Sequence, residues 1–180
     1  MGGYLMSTIA SGNTITTAFT VTGDTTGNLV FTTSGANLTA LTLDQNQVSA
    51  FNGSIEEKVT VSATAAGANV NFDAITQNIL LYTSNATANT TINLRGSTTI
   101  PLNNAMSNGQ SISLVFMNTQ GNTAYYVSGY QIDGVAVTPK WQGNSAPTSG
   151  NARGIDVYSF TAIKTANATY TVLASQTQFA

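Results

Sequence analysis

The chain of 180 residues has no cysteine and no histidine, and only 7% of it is charged. Without cysteine there is no disulfide framework and no thiol nucleophile, and the protein is indifferent to the redox state of its surroundings. Without histidine the commonest general base and the usual transition-metal ligand are missing together. Soluble domains carry roughly 25% charged residues; here asparagine, threonine, serine and glycine take their place. Such a surface is polar but weakly self-repelling. It suits packing against copies or neighbours, because few charges need desolvating at a contact. A formal net charge of −2, with five basic residues, leaves no electrostatic footprint for a phosphate backbone, so nucleic acid is not an expected partner. No apolar run approaches the roughly 20 residues of a bilayer span, so no membrane insertion is expected. The N-terminus also lacks the basic, apolar, small-residue order of a secretory signal, and synthesis in a cytoplasm is the expectation.

The carboxylates are Asp24, Asp44, Glu56, Glu57, Asp73, Asp133 and Asp156. A glycosidase places two such groups across a cleft. Asp133 is accounted for by a turn, Asp24 and Asp44 fall in the N-terminal segment, and Glu56 and Glu57 point to opposite faces if extended. Asp73 and Asp156 are left as the one pair that could serve a hydrolase. Serines are abundant but have no base. Lys164-Thr165 has no Ser-x-x-Lys upstream, and no run has the spaced oxygens of a calcium loop. The expectation is therefore a protein that is not an enzyme, with no catalytic residue, cofactor or metal.

The most legible stretch is a hairpin. Tyr130-Gln131-Ile132 meets Val135-Ala136-Val137 across Asp133-Gly134, the dipeptide that a type I′ turn favours because both central residues need positive φ. Ile132 and Val135, and Tyr130 and Val137, then share the core side, and Pro139 ends the pairing just before Lys140 and Trp141. Elsewhere short β-prone runs alternate with turns. The N-terminal segment offers strands at 16–22 and 29–32 and around Leu41, Leu43 and Val48, with turns at 24–27 and 34–35. It is so poor in large apolar groups that it needs other subunits or a neighbour to complete a core. The charge cluster Glu56-Glu57-Lys58 marks a boundary between an arm over residues 1–53 and a domain over residues 54–180; one continuous domain is the alternative.

In the second segment Val59, Val61 and Ala63 alternate with polar residues, and 79–82 reads as a strand covered on both faces. Ile92 and Leu94 face inward, 102–106 is one helical turn, and Ile112, Leu114 and Phe116 share a face, as do Tyr158, Phe160 and Ala162, then Tyr170, Val172 and Ala174. About eight strands with little helix make the expected class all-β, an antiparallel β-sandwich or jelly-roll-like domain behind a short-stranded β arm.

Two features could carry recognition. Tyr125, Tyr126, Tyr130 and Trp141 are aromatics of the kind that stack on glycan faces, although alternation buries about half of them. The polar loop over residues 143–154 is the longest excursion from the strands. Together they nominate Trp141, Asn144, Ser145 and Arg153 as surface-recognition residues.

Several runs in residues 55–180 carry a family likeness: Ile79-Leu80-Leu81-Tyr82-Thr83-Ser84-Asn85-Ala86, Asn93-Leu94-Arg95-Gly96, Met106 with Gly109-Gln110-Ser111, and Asp133-Gly134. It continues through Thr138-Pro139-Lys140-Trp141-Gln142-Gly143, Ala146-Pro147, Asp156-Val157-Tyr158, Lys164-Thr165 and the closing Val172-Leu173-Ala174-Ser175-Gln176-Thr177-Gln178-Phe179. With these the segment resembles a C-terminal domain of virion structural proteins, often labelled tail-fibre-like, of tailed phages that infect marine cyanobacteria and other marine bacteria. Residues 27–35 and 41–44 resemble strand repeats of phage fibre proteins. The resemblance implies a non-enzymatic component of the virion exterior, made in the host cytoplasm, with copies of itself (a trimer is one arrangement) and other virion proteins as partners. The arm would dock on the particle and the β domain face outward. Because no extended shaft precedes the domain, a capsid decoration on the head surface is an alternative to a tail attachment. A carbohydrate-binding module, its exposed aromatics meeting a host-surface glycan, is a third reading.

Overall fold

β-branched, aromatic and small residues in short runs, punctuated by Gly, Asn and Asp, form strands through most of the residues that the computed structural model describes, 27–33 and 38–180. The strand expected at 16–22, the turn expected at 24–27 apart from Gly27, the turn expected at 34–35, and Asp24 lie outside these residues. The protein is all-β and divides into two compact units, Met1–Glu56 and Glu57–Ala180.

In the first unit β1 (Leu29–Thr33), β2 (Leu38–Leu43) and β3 (Ser49–Phe51) form an antiparallel sheet in chain order. Asp44 closes the β2–β3 turn: its Oδ1 accepts from the Asn46 and Val48 amides at 2.8 and 2.9 Å. Gln47 takes the left-handed conformation that the turn requires, with φ 65°. No described side chain of this unit is buried, and Val30, Phe31, Leu38 and Phe51 are exposed.

The second unit has ten strands in two sheets. β4 (Val59–Ala65), β6 (Ile79–Ser84), β8 (Ser111–Thr119), β11 (Lys140–Trp141), β12 (Ile155–Ala166) and β13 (Thr169–Phe179) lie in the order β11-β13-β12-β8-β6-β4. β5 (Asn69–Asp73), β7 (Thr90–Arg95), β9 (Val127–Ile132) and β10 (Val135–Ala136) lie in the order β10-β9-β7-β5. The antiparallel expectation is corrected here, since five of the eight pairings are parallel. From β4 to β9 the chain alternates between the sheets, so each strand pairs with the next but one. The strand in the opposite sheet makes the return journey that a crossover helix makes in α/β folds. Alternating hydrophobicity is the same for either sense of pairing, so it could not report this.

Residues from both sheets share one core that includes Phe72, Ile92, Leu94, Leu114, Phe116, Tyr130, Ile132, Tyr158, Phe160 and Val172. The hairpin forms as expected, with φ 50° at Asp133 and 80° at Gly134, and Ile132 pairs with Val135. The core side expected for Val135 is corrected, however: β10 is an edge strand, and Val135 is 68% exposed while Ile132 is buried. The short helix α1 (Leu102–Ala105) stands where the helical turn was expected. Its first amides, Leu102 and Asn103, donate to the Asp133 carboxylate at 2.7 and 3.0 Å. Buried Lys164 donates through Nζ to the Asn103 and Met106 carbonyls at 2.6 and 2.8 Å. Asp133 is thus more than a turn residue; it satisfies helix N–H groups from 30 residues away.

The outer face of the larger sheet departs most from the pattern. Val59 and Val61 face away from the core, with Val61 61% exposed, while Thr60 and Ser62 are half-buried. Register continues the apolar row across the sheet: Val59 beside Ile79 beside Val115, and Val61 beside Leu81 beside Met117 beside Val157. Of the 79–82 run, Leu80 alone is fully buried; Ile79, Leu81 and Tyr82 keep partial exposure, so the strand is not covered on both faces.

Candidate recognition groove

Trp141 sits on β11, which Pro139 frees from the hairpin and which runs parallel to β13, Lys140 beside Leu173 and Trp141 beside Ala174. The indole is half-buried and meets Phe160 edge-on, with ring centroids 6.1 Å apart and planes at 71°. Phe160 in turn packs on Tyr130 at 4.8 Å and lies parallel to Tyr158 at 6.3 Å, so the tryptophan is the outer end of an aromatic stack rooted in the core.

Three recesses meet at Trp141. One of about 350 Å³ is bounded by Gln142, Ser145, Thr148, Ser149 and Gln178. A second of about 410 Å³ lies against Lys140, Thr161 and Leu173. A third of about 330 Å³ is bounded by Tyr126, Tyr130, Val137, Pro139 and Pro147.

The loop that walls the first recess is held by a buried carboxylate. Asp156, on β12, accepts from Gln120 Nε2 at 2.9 Å, from the Asn151 amide at 3.1 and 3.2 Å to its two oxygens, and from Gln176 Nε2 at 3.3 Å. Gln176 also donates to the Ser149 carbonyl at 3.1 Å and to the Tyr158 hydroxyl at 3.0 Å. The backbone at Gly150 passes so close to the Tyr125 carbonyl and to Asp156 Oδ2 that a Cβ there would collide with both. Burial pushes the Asp156 carboxyl above the usual carboxylate range, opposed by the hydrogen bonds from Asn151, Gln120, Gln176 and Gln178. Burial likewise raises the Tyr158 hydroxyl, although the Val127 amide donates to it.

Of the four residues nominated from the sequence, Trp141 and Ser145 line the same recess. Asn144 is exposed and lines none of the three; with φ 58° it serves the turn over Gln142–Asn144. Arg153 also lies outside them, where its Nε donates to Asn122 Oδ1 at 2.8 Å and fastens one loop to another. Tyr126 and Tyr130 line the third recess, and Tyr130 is buried.

Asp73 and Asp156 are not brought together as a pair. Asp73 forms an ion pair with Arg95 on the smaller sheet, and Asp156 is enclosed by amides on the larger one. Sequence reasoning missed Gln142, Gln176 and Gln178. The signal for the last two is register: β13 sets Gln176 opposite Tyr158 and Gln178 opposite Asp156, a relation no local pattern carries. Among the described residues no cluster of acidic side chains could hold a metal. No protein-family model, curated protein or solved structure matched the chain when it was compared with each.

Proposed function

We propose that the protein is a non-enzymatic structural component of a tailed-phage virion exterior, attached at the tail or decorating the head, that works as packed copies. The observation that carries this reading is the outer face of the larger sheet, where one uncharged apolar rung crosses three strands and the next crosses four, both staying partly exposed. Monomeric proteins seldom leave so continuous an apolar surface without a partner. The first unit supports the same reading, since its exposed Val30, Phe31, Leu38 and Phe51 suit an arm that docks on neighbouring virion proteins. Two sheets facing across one core also suit a sandwich in the broad sense, although one wound largely from parallel pairs.

Purified particles made by an infected host should contain this chain in fixed stoichiometry, and microscopy of them assigns it to tail or head. The full-length protein should sediment as an oligomer. A chain absent from particles and monomeric at every concentration overturns the reading.

A further inference from the structure

We propose that the recess between Trp141 and the 142–149 loop binds a neutral carbohydrate, with the indole as its stacking platform. This goes beyond the assembly reading and does not depend on it.

The lining decides the chemistry. No acidic or basic side chain borders this recess; its polar groups are all amides and hydroxyls, among them those of Gln142, Gln178, Ser145 and Thr148. A phosphate or carboxylate ligand would find no counter-charge there, and an ammonium ligand no carboxylate, since Asp156 is fully buried behind the loop. Amides and hydroxyls each offer both donors and acceptors, which is the set a polyol needs. The apolar C–H face of a pyranose complements the one large aromatic surface available. At about 350 Å³ the recess lies in the size range of small-molecule sites.

The site is also built in advance. Trp141 is fixed by its strand pairing and by Phe160, and the Ser149 carbonyl is held by Gln176. The Asn151 amide is held by Asp156, so little ordering remains to be done on binding. Gln178 is shared between the Ser149 carbonyl, at a long 3.5 Å, and the Asp156 carboxylate, so the exposed Gln142 and Ser145 are the side chains best placed to turn to a ligand.

Trp141 is the single tryptophan of the chain, so its emission reports on ligands that reach the indole, and Gln142→Ala tells this recess from the one beside Tyr126 and Pro147. The experiment screens the full-length protein on an array of neutral hexose and N-acetylhexosamine oligosaccharides beside acidic glycans and proline-rich peptides, then titrates the best hit into wild type by fluorescence and into wild type and variants alike by calorimetry. The expected result is a neutral glycan that shifts the emission saturably and whose affinity falls at least about tenfold in Trp141→Ala. Gln142→Ala, a change on an exposed turn that leaves the aromatic stack intact, should weaken binding as well and keeps the test valid if the tryptophan variant fails to fold. The proposal is overturned if no neutral glycan binds, if acidic glycans or peptides bind instead, or if binding survives both substitutions.

Discussion

Asp156 and Lys164 stand at the two ends of the inward face of β12, with Tyr158, Phe160 and Ala162 between them, and both are buried. Among the described residues neither has an ion-pair partner: Asp156 is satisfied by side-chain and backbone amides, Lys164 by backbone carbonyls. A buried charge held by dipoles alone is stabilised while every partner stays in place and becomes costly when one is lost. Asp156→Ala should therefore destabilise the protein by about 2–4 kcal/mol in urea unfolding, because it leaves the Gln120, Gln176 and Asn151 donors unpaired. The pH dependence has a definite sign. Burial raises the folded-state pKa of Asp156 above its unfolded value, so the folded protein holds this proton more tightly. Its contribution is most favourable below the ordinary carboxylate pKa of about 4 and declines as pH rises through the raised value. Unfolding curves of wild type and Asp156→Ala should thus lie further apart near pH 4 than near pH 7; an unchanged gap would remove the linkage.

At the scale of elements, α1 shows how a segment too short to persist alone is kept. Four residues nucleate poorly and leave nearly all their backbone groups without helical partners. The Asp133 carboxylate takes the leading amides and Lys164 the trailing carbonyls. Asn103 ties the helix to the β12–β13 turn by accepting from the Ala168 amide at 2.8 Å. Asp133→Asn keeps a residue tolerant of positive φ and removes one of the two accepting oxygens, so the loss, about 1 kcal/mol, isolates the cap from the turn. Lys164→Met should cost more, about 2–3 kcal/mol, since two buried carbonyls lose a charged donor. Thermal melts that rank the two variants the other way would show that the hairpin, and not the helix clamp, governs this end of the core.

At the scale of the whole molecule, the buried side chains among the described residues all lie in the second unit, with core residues running from Ala66 to Ala174. A chain of residues 54–180 should consequently melt cooperatively, within a few degrees of the full-length protein, and under the proposed function it should no longer join particles. The apolar outer face makes a separate prediction. Val61→Asp with Met117→Asp puts two charges in one rung, on the strands either side of β6, while leaving the core side untouched. Each desolvated charge costs several kcal/mol at a contact, enough to reduce an oligomer to monomers by sedimentation with an unchanged far-UV spectrum. An oligomer that survives both charges would place the contact elsewhere.

What this sequence determined by itself is local. Asp133-Gly134 specified its turn, the punctuated short runs specified strands, and alternation marked Ile92 and Leu94, Leu114 and Phe116, and Tyr158, Phe160 and Ala162 as inward-facing, as they are. Trp141 and Ser145, which line one recess of the candidate groove, were legible because an aromatic after a proline and a polar loop are local features too. Tertiary structure alone decided the sense of pairing, the outward turn of Val59 and Val61, the second task of Asp133 and the placing of Gln176 and Gln178 beside the groove. The reason is physical: turn geometry and side-chain alternation are settled by neighbours in the chain, whereas which side of a sheet stays dry depends on what distant strands bring to it.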